Sequence, residues 1–324
     1  MTSKLTLQCE LYEEPFPVSD AVYEYIRQYC ISGECRSEYR RRSHLFVPLN
    51  KIKFLEKIGR GELAAADGFI WDLEDSVPRG QKQLARDALT SIPKKTGRVE
   101  YNIRINCGDQ EELKRDLNAI EGIPFDSVTL PKGESATEIL RLIRIIGEDK
   151  AYIVTIETLK GLHAIDEIAC VLKPRRDALG FGVGDMSTEL GVERIPTYDN
   201  PLFQQILGII AMTAKRYHLD LFDSVSARFN DPEVARHEAQ LACKLFGYTG
   251  KKLINPKQLE IINQVFAPPR EVIAAQLYTI ESFLAHPETN AQVVGGEYKG
   301  MPAFKAADRY IKKLLRQGYL GLIE

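Results

Sequence analysis

Eight short apolar runs recur between residues 44 and 256, each followed by a helix-forming stretch or a gap of helix length. They are HLFVP (44–48), GFIWDLED (68–75), VEYNIRIN (99–106), SVTLPK (127–132), AYIVTIET (151–158), ALGFGVGD (178–185), LDLFDSV (219–225) and KKLINP (251–256). Helical patterning over 136–146, 161–172, 200–217 and 232–247 alternates with them. Run ends fall near 48, 75, 106, 132, 157, 185, 224 and 255; most steps match one strand-plus-helix unit, and only 185 to 224 is longer. Near-continuous apolar strands alternating with helices imply a parallel sheet covered by helices. Eight units predict an α/β (β/α)8 TIM barrel, a fold of about 250 residues. A doubly wound open sheet is the competing fold, but it usually has fewer strands and a Gly-rich first turn, and neither sign is present.

The chain ends read differently. Val22, Tyr25 and Ile26 give residues 18–29 one apolar helical face, and Arg40, Arg41 and Arg42 follow as a charged stretch. These arginines read as a solvated linker, with phosphate contact beside a barrel mouth as the competing reading. Beyond 268 come a helix at 271–286, a Gly-containing strip at 290–302 and a last helix at 303–317. The expected organisation is an N-terminal extension (1–42), a lyase-like barrel domain (43–268) and a C-terminal helical cap or arm (269–324).

Composition excludes several classes. Lys plus Arg is 43 against 45 Asp plus Glu, so no excess of positive charge is available for nucleic acid. No run of 18 apolar residues is present, so no membrane partner is expected. The first residues lack a signal peptide's apolar core, which predicts a cytoplasmic location. Six cysteines are too sparse for a disulfide scaffold and lack zinc spacing. HExxH, GxSxG, GxGxxG and P-loop patterns are absent.

In a barrel of this kind, chemistry sits at the C-terminal strand ends. The polar residues there are Asp72, Glu74, Asp75, Arg104, Asn106, Lys132, Glu157, Asp185, Asp223, Ser226 and Asn255. Glu157 and Asp185 end consecutive strands, and neighbouring strands lie about 4.7–4.9 Å apart. Two carboxylates that close repel unless one is protonated or a cation lies between them. With no His or Cys beside them, the oxygen pair suits Mg2+, which leaves its other positions to water and substrate. The competing reading pairs Glu157 with Arg104 or Lys132. Gly182 and Gly184 either let backbone approach a ligand or serve tight packing. Arg104 either presents its planar fork to a substrate carboxylate or pairs with Glu74 or Asp75. Asp72 and Glu74 share one side-chain parity, and one of them can orient Arg104. Trp71 reads as a packing residue against the helices.

The segments RRSHLFVPLN, WDLEDSVP, RIN, LPKGES, TIET, GVGDMSTELGV and KKLINPKQLEIINQVFAP occur in that order. Together they resemble the HpcH/HpaI aldolase and citrate lyase β-subunit superfamily, which includes malyl-CoA and citramalyl-CoA lyases. The likeness runs from about Arg42 to Pro268. It implies a TIM barrel, Mg2+, a homo-oligomer and reversible C–C cleavage of a small carboxylated substrate, often a CoA thioester. It implies Glu157 and Asp185 as metal ligands and Arg104 as substrate-binding, and its acidic motif matches Glu74 and Asp75. Taken with the strand-end pattern, Arg104 is the expected catalytic residue, and Arg104, Glu74, Asp75 and Asn255 are expected to bind substrate.

Three departures bear on activity. The superfamily's first-strand VPG, whose Gly helps admit CoA, is here Val47-Pro48-Leu49. Its eighth-strand IHPxQ is Ile254-Asn255-Pro256-Lys257-Gln258. Its C-terminal GKMIDRP segment carries a catalytic Asp, and Gly300 stands at that place here, with Glu297 nearby. With the N-terminal extension, these traits resemble a divergent branch often encoded near tellurium-resistance genes. The expected function is a Mg2+-dependent aldol- or Claisen-type lyase acting on a free acid or CoA thioester. The alternative is a catalytically degenerate lyase-like binding or scaffold protein in a bacterial stress response.

Overall fold

The computed structural model describes residues 5–35, 38–193 and 199–323. Its strands, in chain order, are β1 (Thr6–Cys9), β2 (Phe16–Pro17), β3 (Ser43–Pro48), β4 (Gly68–Asp72), β5 (Glu100–Arg104), β6 (Ser127–Leu130), β7 (Ala151–Ile156), β8 (Ala178–Phe181), β9 (Asp220–Asp223), β10 (Gly250–Leu253), β11 (Ala291–Val294), β12 (Glu297–Gly300) and β13 (Leu320–Ile323). Two compact units result, one from residues 40–267 and one from the segments on either side of it.

In the first unit β3 to β10 close into a barrel, with β10 pairing in parallel to both β9 and β3. The eight apolar runs supply the eight strands, so this is the TIM barrel the sequence predicts. Local signals set the helices. Helix Ala136–Ile146 starts at Ser135, whose hydroxyl accepts the Glu138 N–H, and stops at Gly147, whose φ of 127° favours glycine. Helix Pro201–Arg216 opens on Asn200 as cap with Pro at its first turn. The predicted helix over 161–172 is instead two short helices, Leu159–His163 and Ile165–Cys170.

Strand side chains alternate, and this divides the barrel's residues into two sets. Outward-facing Leu45, Val47, Trp71, Ile103, Val154 and Leu253 join one core with the helices. Trp71 is fully buried there, 5.1 Å from the Tyr101 ring in an edge-on contact. The inward set is more polar. Thr129 Oγ1 and Ser127 Oγ are hydrogen-bonded to the Asn102 side chain at mid-barrel.

The opposite end of the barrel is plugged by charge. Arg41 donates two 2.8 Å hydrogen bonds to Glu100 and lies 3.3 Å from Asp220, while His44 Nε2 approaches Glu100 at 3.1 Å. Arg42 is paired with Asp67. A solvated arginine linker is therefore wrong for these two residues. Their partners stand at the N-terminal ends of other strands, where an unpaired buried carboxylate would be costly.

In the second unit β1 pairs antiparallel with β13 and β2, so the two chain ends share a sheet. Helices Asp20–Ile31, Arg270–Ala285 and Met301–Arg316 bury Val22, Ile26, Ile273, Ile280 and Ile311 in one cluster with Leu7 and Phe16. The two terminal additions of the sequence are thus one folded body. The Gly-containing strip is the β11–β12 hairpin, turning on Gly295 and Gly296 at φ 61° and 82°. Among the described residues no helix is long and apolar enough to cross a membrane.

Candidate active site

A cavity of about 460 Å³ opens at the C-terminal ends of the barrel strands, bordered by Asp75, Arg104, Thr155, Glu157, Asp185 and Lys252 with Phe46 and Gly182 between them. Each polar group is held by its strand end. Asp72, fully buried at the end of β4, accepts hydrogen bonds from Arg104 Nε at 2.6 Å and Nη2 at 2.5 Å. It also accepts from the Ser76 hydroxyl and from the Glu74 N–H. Burial pushes the Asp72 carboxyl up, but the charge and hydrogen bonds of Arg104 outweigh it and hold it below the ordinary carboxylate range. Arg104 Nη1 lies 3.1 Å from Glu74, and its guanidinium covers the Phe46 ring at 4.5 Å. The fork is thus turned mainly on Asp72, the same-parity partner of Glu74, while the residue still borders the cavity.

Glu74 sits behind the wall rather than in it. Its Oε1 lies 3.5 Å from Lys132 Nζ, and burial, reinforced by Asp75 and opposed by Arg104, pushes its carboxyl up to about 7. Lys132 has a left-handed backbone, φ 50°, a conformation that costs a non-glycine residue energy and often marks functional sites. That backbone aims its N–H at Glu157 Oε1, 2.7 Å away, while its ammonium reaches Asp185 Oδ2 at 3.4 Å.

Glu157 follows the end of β7, and Asp185 lies in the first turn of helix Val183–Leu190 after β8. Burial raises the Glu157 carboxyl, and the facing Asp185 charge raises it further. Asp185 Oδ2 is shielded from solvent and faces the Lys132 ammonium as an ion pair without an aligned hydrogen bond. A carboxylate whose proton affinity is raised by a facing carboxylate fits a hard cation held by two protein oxygens. Among the described residues no cluster of three or more His, Cys, Asp or Glu side chains forms a fuller metal cage.

The structure brings Glu157, Asp185, Arg104, Asp75 and, one layer behind, Glu74 together. It turns Asn255 away. The Asn255 side chain caps the turn at Pro256–Gln258 through the Lys257 N–H and donates to the Phe229 carbonyl at 2.9 Å. Asp223 is taken up by Lys251, 2.7 Å away. Leu49 is fully buried in the core between barrel and helices, so its bulk does not narrow the cavity. On β10 the inward parity falls on Lys252, and the same parity just past the strand falls on Ile254; both border the cavity. Counting parity back from the strand end would have found Lys252; choosing the last polar residue selected Asn255 instead.

Comparison with known proteins gives one answer. The profile of the HpcH/HpaI aldolase/citrate lyase family matches residues 42–256. A (3S)-malyl-CoA thioesterase of Cereibacter sphaeroides (strain ATCC 17029 / ATH 2.4.9) is 34% identical over 262 residues, covering 78% of this chain and 88% of that protein. The citrate lyase subunit beta of Leuconostoc mesenteroides subsp. cremoris is 28% identical, over 85% of this chain and 94% of its own. The crystal structure of CitE from Mycobacterium tuberculosis in complex with magnesium, acetoacetate and coenzyme A superposes with a TM-score of 0.69 at 26% identity, covering 86% of this chain and 98% of that one.

Proposed function

The chain belongs to the HpcH/HpaI aldolase/citrate lyase family, and we propose that it is a Mg2+-dependent carbon–carbon lyase acting on a small carboxylated substrate, as the free acid or its CoA thioester. The observation that carries this reading is the convergence of the Glu157 and Asp185 carboxylates on one cavity. These two residues would hold the cation, which when bound polarises a substrate oxygen and stabilises charge developing on it. The chain's own residues do the rest. Arg104, fixed by Asp72, offers its free N–H groups to the substrate carboxylate. The Lys132 N–H fixes one Glu157 oxygen, leaving the other for the cation. Asp75 borders the space in which the bond would break, and Glu74 pairs with both Arg104 and the Lys132 ammonium behind it.

A specific observation favours the second reading, a lyase-like binding or scaffold protein. Gly300, at the place of the superfamily's lid acid, only begins helix Met301–Arg316 and carries no proton-transfer group. One assay separates the readings. Purified protein is incubated with Mg2+ and malyl-, citramalyl- and citryl-CoA or free 2-hydroxy and 2-oxo acids, and carbonyl products and free thiol are measured. The lyase reading expects a carbonyl product that disappears with chelator and in Asp185→Asn. Thiol release without a carbonyl product would mean thioester hydrolysis. Substrate binding with neither product would favour the scaffold.

A further inference from the structure

Lys252 is a buried amine that the lyase chemistry above does not use. It stands on the inward parity of β10, is 4% exposed, and borders the cavity. Its space is created by Gly180 on β8, where a Cβ would lie 2.8 Å from Nζ and 3.2 Å from Cε. Among the described residues its one hydrogen-bond partner is Thr155 Oγ1, at 2.8 Å. Lys132 and Lys251 both form ion pairs with carboxylates; among the described residues Lys252 forms none. An ammonium carries three N–H donors, so one partner leaves two unmet in a desolvated place. Losing one proton reduces that unmet demand and frees a lone pair on Nζ. Burial acts in that direction, lowering the group to about 8 against the opposing field of Glu157. A lysine desolvated inside a cavity is an activated nucleophile toward carbonyl carbon.

We propose that Lys252 Nζ condenses with the ketone carbon of a 2-oxo acid in this cavity, forming an imine and giving the site a second, covalent chemistry. The proposal rests on the reading that the cavity takes small carboxylated substrates. Arg104 supplies a cation for the carboxylate, and the carbonyl beside that carboxylate is then presented to the amine. The Nζ lone pair attacks the carbonyl carbon, a C–N bond forms, and the C=O π pair moves to oxygen, which takes a proton. The carbinolamine then loses this oxygen as water together with the remaining N–H proton. The result is a C=N bond, with one water released for each amine and ketone consumed. When protonated, the imine draws electrons from the neighbouring carbon as a metal-bound carbonyl would.

The test is reductive trapping on the full chain. Chelator-treated protein is incubated with pyruvate and sodium borohydride, then examined by intact mass and peptide mapping. The expected result is one reduced pyruvyl adduct per chain, mapped to Lys252, in the absence of metal. Lys252→Met, which fills the same space without an amine and cannot form the imine, should lose the adduct while retaining its thermal unfolding transition. The wild-type map decides the matter even if that variant does not fold. No adduct above the borohydride-only control, or an adduct on Lys51, Lys132 or another lysine, overturns the proposal. Mg2+-dependent cleavage is measured in parallel. Adduct without cleavage defeats the lyase reading alone, and cleavage without adduct defeats this one alone.

Discussion

Gly182 makes the room that Glu157 occupies. A Cβ on Gly182 would lie 2.5 Å from the Glu157 Cβ, 3.0 Å from its carboxyl carbon and closer still to Oε2. Gly182 has φ −114°, so a side chain is excluded by the carboxylate and not by the backbone. Gly182→Ala should fold but displace Glu157, and Mg2+ affinity measured by calorimetry should fall by roughly 10–100-fold, the usual cost of disturbing the groups that orient a metal ligand. Unchanged affinity would remove Glu157 from the metal site.

Arg104 is predicted to matter for stability as well as for ligand. Its fork satisfies Asp72, which is fully buried. Arg104→Lys keeps a charge but loses the two-point contact, so urea unfolding should register a loss of about 1.5–3 kcal/mol together with weaker binding of a 2-oxo acid. An unaltered midpoint with weaker binding would mean that Asp72 does not need the fork.

Glu74 should leave a signature in the pH dependence of stability. In the unfolded chain its carboxyl ionises near 4.5, whereas in the fold it keeps its proton up to about 7. Between those values the folded state binds more protons, so this residue's contribution to stability falls as pH rises across that window. Glu74→Gln should remove that slope. Parallel wild-type and variant stability curves from pH 4.5 to 7 would contradict the assignment.

Arg41 neutralises Glu100 at the closed end of the barrel, where Glu100 is fully buried. Arg41→Met strands that carboxylate, and about 3–5 kcal/mol of stability should be lost at neutral pH. The neighbouring charges hold the Glu100 carboxyl well below its ordinary range despite burial. Its contribution is therefore present above the ordinary carboxylate value and is lost only as pH falls toward the depressed one. The gap between Arg41→Met and wild type in chemical denaturation should narrow on acidification.

Gly300 predicts slow turnover on the substrates of related lyases. General acid–base help typically contributes about 10²–10⁴-fold, and Gly300 offers none. Cleavage of malyl-CoA and citryl-CoA should be weaker by about that factor, with Mg2+ affinity intact. Robust wild-type cleavage of either thioester would show that another group supplies the proton transfer. The burial of Leu49 removes one objection to a CoA substrate, so a weak rate would point to the missing acid and not to exclusion of the thioester.

What the sequence determined by itself is what repeats locally. Eight apolar runs separated by helical patterning leave little but a closed parallel barrel, because each strand needs cover on its outer face. The barrel in turn places Glu157 and Asp185 at neighbouring strand ends. What only the tertiary structure decided is which charges meet across the barrel. The fork of Arg104 goes to Asp72 on the adjacent strand, and Arg41 reaches Glu100 across 59 positions of sequence. Lys252 enters the cavity because closure brings β10 across the barrel from β7, where Gly180 on β8 leaves the space. A lysine in a short apolar run reads the same facing water or facing a cavity. Likewise the pairing of β1 with β13 joins the two ends of the chain in the register Thr6 to Ile323. Hydrophobic periodicity is a property of a few adjacent residues and survives reading along the chain. The partner of a buried charge depends on strand register and closure, which exist only once the chain has folded.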